Sequence, residues 1–279
     1  MTSSGHRVLG LVLGAVAVFM LAPIAIVVVN SFNSVPYGAW PPPGYSLRWY
    51  VNLSQQTDFA DAAVRSLVVG AVATALALVA GTLASLALIR FRFPGKAAIN
   101  GLLLAPMIVP RVAIGMAAFT LFVRVHVYGT LWTLMIAHTA LILPFAVTII
   151  SGALLRVRPE LEQAAQDLGA SPARAFLTVA LPQLRRALVA AAVLSFVVSF
   201  DEVDASIFMV SQADPTLPVA MYNYMQKYQD PTLAALSTIL VAATLLLAVL
   251  LLRSFGVSGF AEMVERPRGQ PVIPGEADV

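Results

Sequence analysis

The chain has 279 residues, 59% of them hydrophobic and only 11% charged, with a mean hydropathy of +0.85. Soluble domains carry about 25% charged residues, so a soluble fold is excluded and an all-α polytopic membrane protein is expected. The net charge of +3 is small, the basic residues form no stripe suited to nucleic acid, and the absence of cysteine excludes disulfides, thiol catalysis and Cys-ligated metals.

The first apolar run, Val8 to Val29, has the length of a span. No small-x-small cleavage site closes it, so it reads as an uncleaved first helix rather than a signal peptide. The rule of about 20 apolar residues per span then gives six transmembrane helices, at roughly 8–30, 63–89, 98–123, 131–155, 186–209 and 232–253. Pro23, Pro106, Pro110 and Pro144 fall inside spans, where kinks are expected. Residues 1–265 form one transmembrane domain, and 266–279 read as a disordered tail.

The segment between spans one and two is rich in proline and aromatics, with Trp40-Pro41-Pro42-Pro43 and Trp49-Tyr50. Trp49 and Tyr50 are expected to sit in an interfacial aromatic belt. Span two carries Gly70, Ala71, Ala73, Ala75, Ala77, Ala80, Gly81 and Ala84. Small residues allow close helix approach, and this stripe is assigned to packing between subunits.

Lys and Arg placement sets the orientation. Arg7, the group Arg90, Arg92 and Lys96, the group Arg156, Arg158, Arg174, Arg185 and Arg186, and the group Arg253, Arg266 and Arg268 fall on one side. Both termini and the 156–185 loop are therefore expected in the cytoplasm.

That loop is the most polar stretch of the chain. Residues 159–182 read PELEQAAQDLGASPARAFLTVALP. Pro159 suits the first turn of one short helix, Ser171-Pro172 supplies an N-cap followed by Pro for a second, and Gly169 separates them. A compact helical loop between spans is suited to docking a soluble partner.

The chemistry of the chain is sparse. Gly95-Lys96 lacks the spacing of a P-loop, and no nucleophile or metal set is present. His6, His126 and His138 are scattered, and His138 in span four reads as a helix-packing hydrogen bonder. Asp201, Glu202 and Asp204 fall in the outer half of span five, with Asp201 and Asp204 expected on one helix face. Arg111 lies at depth in span three. Such groups are costly in lipid and mark a translocation path or an interhelical ion pair, and the two readings are compatible.

The 159–182 segment also resembles a known family. Gln163-Ala164-Ala165, Gly169, Val179 and Leu181-Pro182 match the spacing of the cytoplasmic loop of integral-membrane subunits of bacterial ABC importers, whose pattern is EAA, three residues, Gly, nine residues, Ile-x-Leu-Pro. Gln163 stands where Glu is usual and Val179 where Ile is usual. Ser31-Phe32-Asn33, Ser46-Leu47-Arg48-Trp49-Tyr50, Ser199-Phe200-Asp201-Glu202-Val203 and Thr216-Leu217-Pro218-Val219 look like stretches of the second permease of spermidine/putrescine-type importers. Those permeases have an acid near position 111, where this chain has Arg111.

The resemblance implies a type I ABC importer permease fold in the bacterial inner membrane. It implies an assembly with two ATPase subunits, a second and usually different permease, and an external or periplasmic substrate-binding protein. ATP and Mg would sit on the ATPase, and this chain would hold no cofactor. Glu160, Glu162, Gln163, Ala164, Ala165 and Asp167, with Gly169, Leu181 and Pro182, are the expected ATPase-coupling residues. Arg111, Asp201, Glu202 and Asp204 are the expected path residues. The expected cargo is a polyamine or related amino compound, with a short amino acid, opine or phosphonate as the alternative on account of Arg111. A self-sufficient secondary transporter would leave the docking loop without a purpose.

Overall fold

The computed structural model describes residues 3–211 and 214–255. The 266–279 tail, Arg266 and Arg268 lie outside the described residues. The described chain is helical, with one isolated bridge between Asn33 and Tyr45.

The helices, in chain order, are α1 (Ser3–Asn30), α2 (Arg48–Gln55), α3 (Thr57–Arg90), α4 (Lys96–Leu104), α5 (Arg111–Arg124), α6 (Leu131–Leu154), α7 (Pro159–Asp167), α8 (Pro172–Ala175), α9 (Leu181–Phe200), α10 (Ser206–Met209), α11 (Leu217–Lys227) and α12 (Thr232–Phe255). Four are long and apolar enough to cross a membrane: α1 from Val8, α3, α6, and the continuous run Pro172–Phe200. A bent pair, Lys96–Met107 with Arg111–Arg124, stands where the third span was expected. The sixth expected span is α12, apolar over Thr232–Leu246.

Two spans depart from the sequence expectation. The third is not one kinked helix but two helices meeting at 104°. Pro110 has no N–H to continue the ladder and disfavours helical backbone at Val109, so the helix stops and α5 restarts with Pro110 as its N-cap. By contrast, Pro23 and Pro144 are carried inside α1 and α6. The fifth span is displaced toward the 159–182 loop, since α9 ends at Phe200 instead of running to 209. Asp201 and Asp204 therefore lie in a turn, and the shared helix face expected for them does not exist.

Residues 3–242 form one compact unit whose centre is α3, α6 and α9. Ala73, Ala77, Ala146 and Ala191 are fully buried there beside Ile142 and Ile150. Two glycines of α3 set the spacing. A Cβ on Gly81 would come within 2.8 Å of the Ala146 Cβ, and one on Gly70 within 3.1 Å of the Phe196 ring. For four of the eight small residues this corrects the assignment to subunit contacts. Gly70, Ala73, Ala77 and Gly81 recur every three or four residues and face this chain's own α6 and α9. Ala71 and Ala75 point outward.

The polar segments at one end of the helices are tied down by side chains. Ser31 and Tyr50 share a 2.7 Å hydrogen bond, and Asn52 donates to Thr232 Oγ1 at 2.8 Å. Trp49 is buried, and its Nε1 donates to the Asn33 carbonyl at 2.6 Å. It is a strut of this layer and does not lie in a lipid-facing belt, because its one polar atom finds a backbone partner inside. Arg65 holds the 214–215 segment, donating to the Pro215 carbonyl at 3.0 Å and to the Asp214 carboxylate at 3.1 Å.

Residues 243–279 group as a second unit, of which the end of α12 is described. Leu245, Leu246 and Val249 are exposed on it.

Candidate functional sites: a docking loop and a broken-helix polar site

The loop folds as its punctuation requires. Pro159 occupies the start of α7, where its missing N–H costs nothing, and Glu160 and Glu162 lie in the first turn, where acidic side chains favour the helix dipole. Gly169 terminates α7 at φ +92°, in the left-handed region that glycine enters without steric cost. Its N–H bonds to the Gln166 carbonyl at 2.8 Å and the Ala170 N–H to the Ala165 carbonyl at 3.0 Å. This is the paired pattern of a Schellman cap. Ser171 then caps α8, its Oγ accepting from the Arg174 N–H at 3.3 Å. Pro182 cannot donate to the Thr178 carbonyl, and the helix widens into a π-turn over Phe176–Ala180 just before it.

The loop's side chains divide into two faces. Glu160, Gln163, Ala164, Asp167 and Gly169 are exposed, as is Pro182, and Leu168 is 90% exposed. Ala165 and Leu181 are half-buried. Glu162 turns inward instead, and its Oε1 takes a hydrogen bond from Arg90 Nη2 at 2.5 Å.

The second site gathers around the break between α9 and α10. Arg111, first residue of α5, donates to Glu202 Oε2 at 2.9 Å. Glu202 is 2% exposed, and its other oxygen accepts the Ala205 N–H at 2.9 Å. One carboxylate thus neutralises the arginine and satisfies a backbone donor at the start of α10. Arg111 stays 43% exposed. Asp201 and Asp204 are exposed and make no ion pair among the described residues.

His138 of α6 secures the break from behind. Its Nδ1 lies 2.8 Å from Ser199 Oγ and its Nε2 2.8 Å from Ser206 Oγ, so one buried ring joins the helices on both sides of residues 201–205. The helix-packing role expected for His138 holds, but its serine partners were not foreseen. Gly115 was also missed. A Cβ there would lie 2.6 Å from the Ala205 Cα, so only glycine lets α5 approach the break this closely. Its position four residues after Arg111, on the same helix face, was the available signal.

No group of three or more metal-ligating side chains occurs among the described residues. The arrangement is one of a charged cluster at the α9–α10 break beside the start of α5, and a helical polar loop after α6.

Comparison with known proteins gives the family. The model of the binding-protein-dependent transport system inner membrane component family matches residues 73–259, and the chain belongs to that family. It is the permease subunit of an ABC importer, a multi-pass inner-membrane protein whose family works with an ATPase and a substrate-binding protein.

The chain is 33% identical to the spermidine/putrescine transport system permease protein PotC of Haemophilus influenzae, over 83% of this chain and 90% of that one. It is 32% identical to the putative 2-aminoethylphosphonate transport system permease protein PhnV of Salmonella paratyphi A, over 85% and 89%. Its fold is that of a bacterial ABC transporter involved in import of the acidic polysaccharide alginate, with a TM-score of 0.68 at 14% identity, covering 92% of this chain and 99% of the other.

Proposed function

We propose that this permease imports a polyamine or closely related amino compound, with Asp201 and Asp204 receiving its ammonium groups. The observation that carries the reading is the division of labour among the three acids. Glu202 is committed to Arg111, which removes the objection that a lone cation would repel a cationic cargo. The two remaining carboxylates leave the site net negative, and both are exposed beside the break. Close sequence similarity to a spermidine/putrescine permease supports the same class.

In this reading the assembly contains two ATPases, a second and different permease, and an external binding protein. The 159–177 segment docks in a cleft of the ATPase, and both termini lie in the cytoplasm with that loop. Closure of the ATPase dimer on ATP shifts the permeases toward the outward-open state through its differential affinity for the two states. The exposure of Leu168 and the local stiffness given by the two caps support the docking role.

A second reading has its own observation. Arg111 remains partly exposed at the first turn of α5, where an anionic group is favoured. An aminophosphonate would offer its phosphonate to Arg111 and its ammonium to Asp201 or Asp204, and one relative bears a name of that kind.

Uptake by the reconstituted importer separates the two. Polyamine transport predicts that putrescine is imported and that Asp201→Asn and Asp204→Asn each lower uptake while folded yield stays normal. Import of 2-aminoethylphosphonate but not putrescine would establish the second reading. Unchanged uptake in both aspartate variants would remove these residues from the path.

A further inference from the structure

We propose that the Arg90–Glu162 ion pair is the strut through which the 159–177 loop moves α3, so that Glu162 transmits force within the permease and does not dock the ATPase. The inference rests on the docking reading above.

Arg90 is the last residue of α3 and Glu162 lies in the first turn of α7. Arg90 Nη2 donates to Glu162 Oε1 at 2.5 Å and to the Val157 carbonyl at 3.2 Å. The side chains are only 17% and 13% exposed. Arg90 Nε is buried without a partner among the described residues, so the desolvated guanidinium depends on these contacts. A charge pair in such surroundings is strong while both members are present, and each member is costly to bury without the other.

The chain path makes the pair mechanically specific. α7 is joined covalently to α6 through residues 155–158 and to α9 through α8 and the π-turn. It has no covalent connection to α3, whose own next helix is α4. The loop's grip on α3 is therefore made by side chains: Leu86 and Ile89 of α3 pack on the Val157–Ala180 cluster with Phe176, and Arg90 adds the ion pair to α7 itself. α3 has 34 residues without a break, a rod of about 50 Å. Its other end carries Arg65, bonded to Asp214 and to the Pro215 carbonyl. A displacement of α7 felt at Arg90 is thus passed along α3 to the polar segments at the far end. Across α7 from Glu162, Leu161, Gln163, Ala164, Asp167 and Leu168 are exposed and left for the ATPase.

The test uses the full importer in proteoliposomes, with putrescine as probe, or 2-aminoethylphosphonate if that is what the wild type imports. The readouts are ATPase co-purification and substrate imported per ATP hydrolysed. Glu162→Gln and Arg90→Gln should each retain the ATPase while import per ATP falls about fivefold or more. The exchanged pair, Arg90→Glu with Glu162→Arg, should recover much of the loss. A merely structural pair would change yield and leave that ratio alone.

Normal import per ATP in both single variants would overturn the proposal. So would loss of the ATPase from Glu162→Gln, which would make Glu162 a docking residue. If Arg90→Gln does not fold, Arg90→Lys keeps the charge with a different donor geometry, and an undiminished ratio there and in Glu162→Gln is equally fatal. Leu168→Asp tests the docking reading separately. It should release the ATPase, and retention would end that reading whatever the pair does.

Discussion

Gly115 and Ala205 meet backbone to backbone: a Cβ added at Gly115 would lie 2.6 Å from the Ala205 Cα and 2.8 Å from its carbonyl oxygen. Neither atom is the end of a flexible side chain, so relief would require α5 or the break to move. The same turn of chain is held by Glu202 through Arg111 and by His138 through its two serines. The break is thus a built feature with three supports.

Gly115→Ala should therefore destabilise the permease by about 1–3 kcal/mol, the usual range for overpacking. Gly152→Ala is the control, because nothing lies within 4 Å of a Cβ there. Thermal unfolding of the detergent-solubilised importer reads both. Equal melting temperatures for the two variants would show that α5 yields freely at this contact.

Removal of Arg111 should cost more than removal of Glu202's charge. Arg111→Ala leaves a carboxylate that is 2% exposed without its cation. Loss of one partner of a buried pair costs about 3–5 kcal/mol, and the exposed arginine brings this site to the lower end. Folded yield should drop sharply, and Arg111→Ala with Glu202→Gln should recover part of it, since Gln still offers an oxygen to the Ala205 N–H. A double variant no better than Arg111→Ala would mean that the pair contributes nothing through its charge.

For His138, what matters is the hydroxyls left behind. His138→Leu strands Ser199 and Ser206, both buried, and interhelical hydrogen bonds in membranes contribute about 0.6 kcal/mol each, up to about 1.7. Adding Ser199→Ala and Ser206→Ala removes the stranded groups, and the triple variant should be more stable than His138→Leu alone, because an unmade buried bond costs more than an absent one. A triple variant less stable than the single one would show that the serines have other partners once the ring is gone.

Much of this protein follows from local residue order. Apolar runs mark the spans because lipid demands about 20 such residues whatever their neighbours, and four of the six expected runs are helices of that length. Pro159, Gly169, Ser171 and Pro172 define the 159–182 loop because caps are made with atoms a few residues away, and the structure reproduces each one. The choices among equivalent candidates were made only by tertiary contact. Asp201, Glu202 and Asp204 are alike as a string, and Glu202 takes Arg111 because α9 stops at Phe200 and turns that one side chain inward. The small residues of α3 gave no indication whether they faced kin or partner, since lipid, a second subunit and this chain's own α6 all accept them. Trp49 is bonded to the Asn33 carbonyl and Glu162 is held by Arg90, the latter across 72 positions of chain. Pairings of that reach depend on how whole helices pack, a property of the assembled fold that no local window contains.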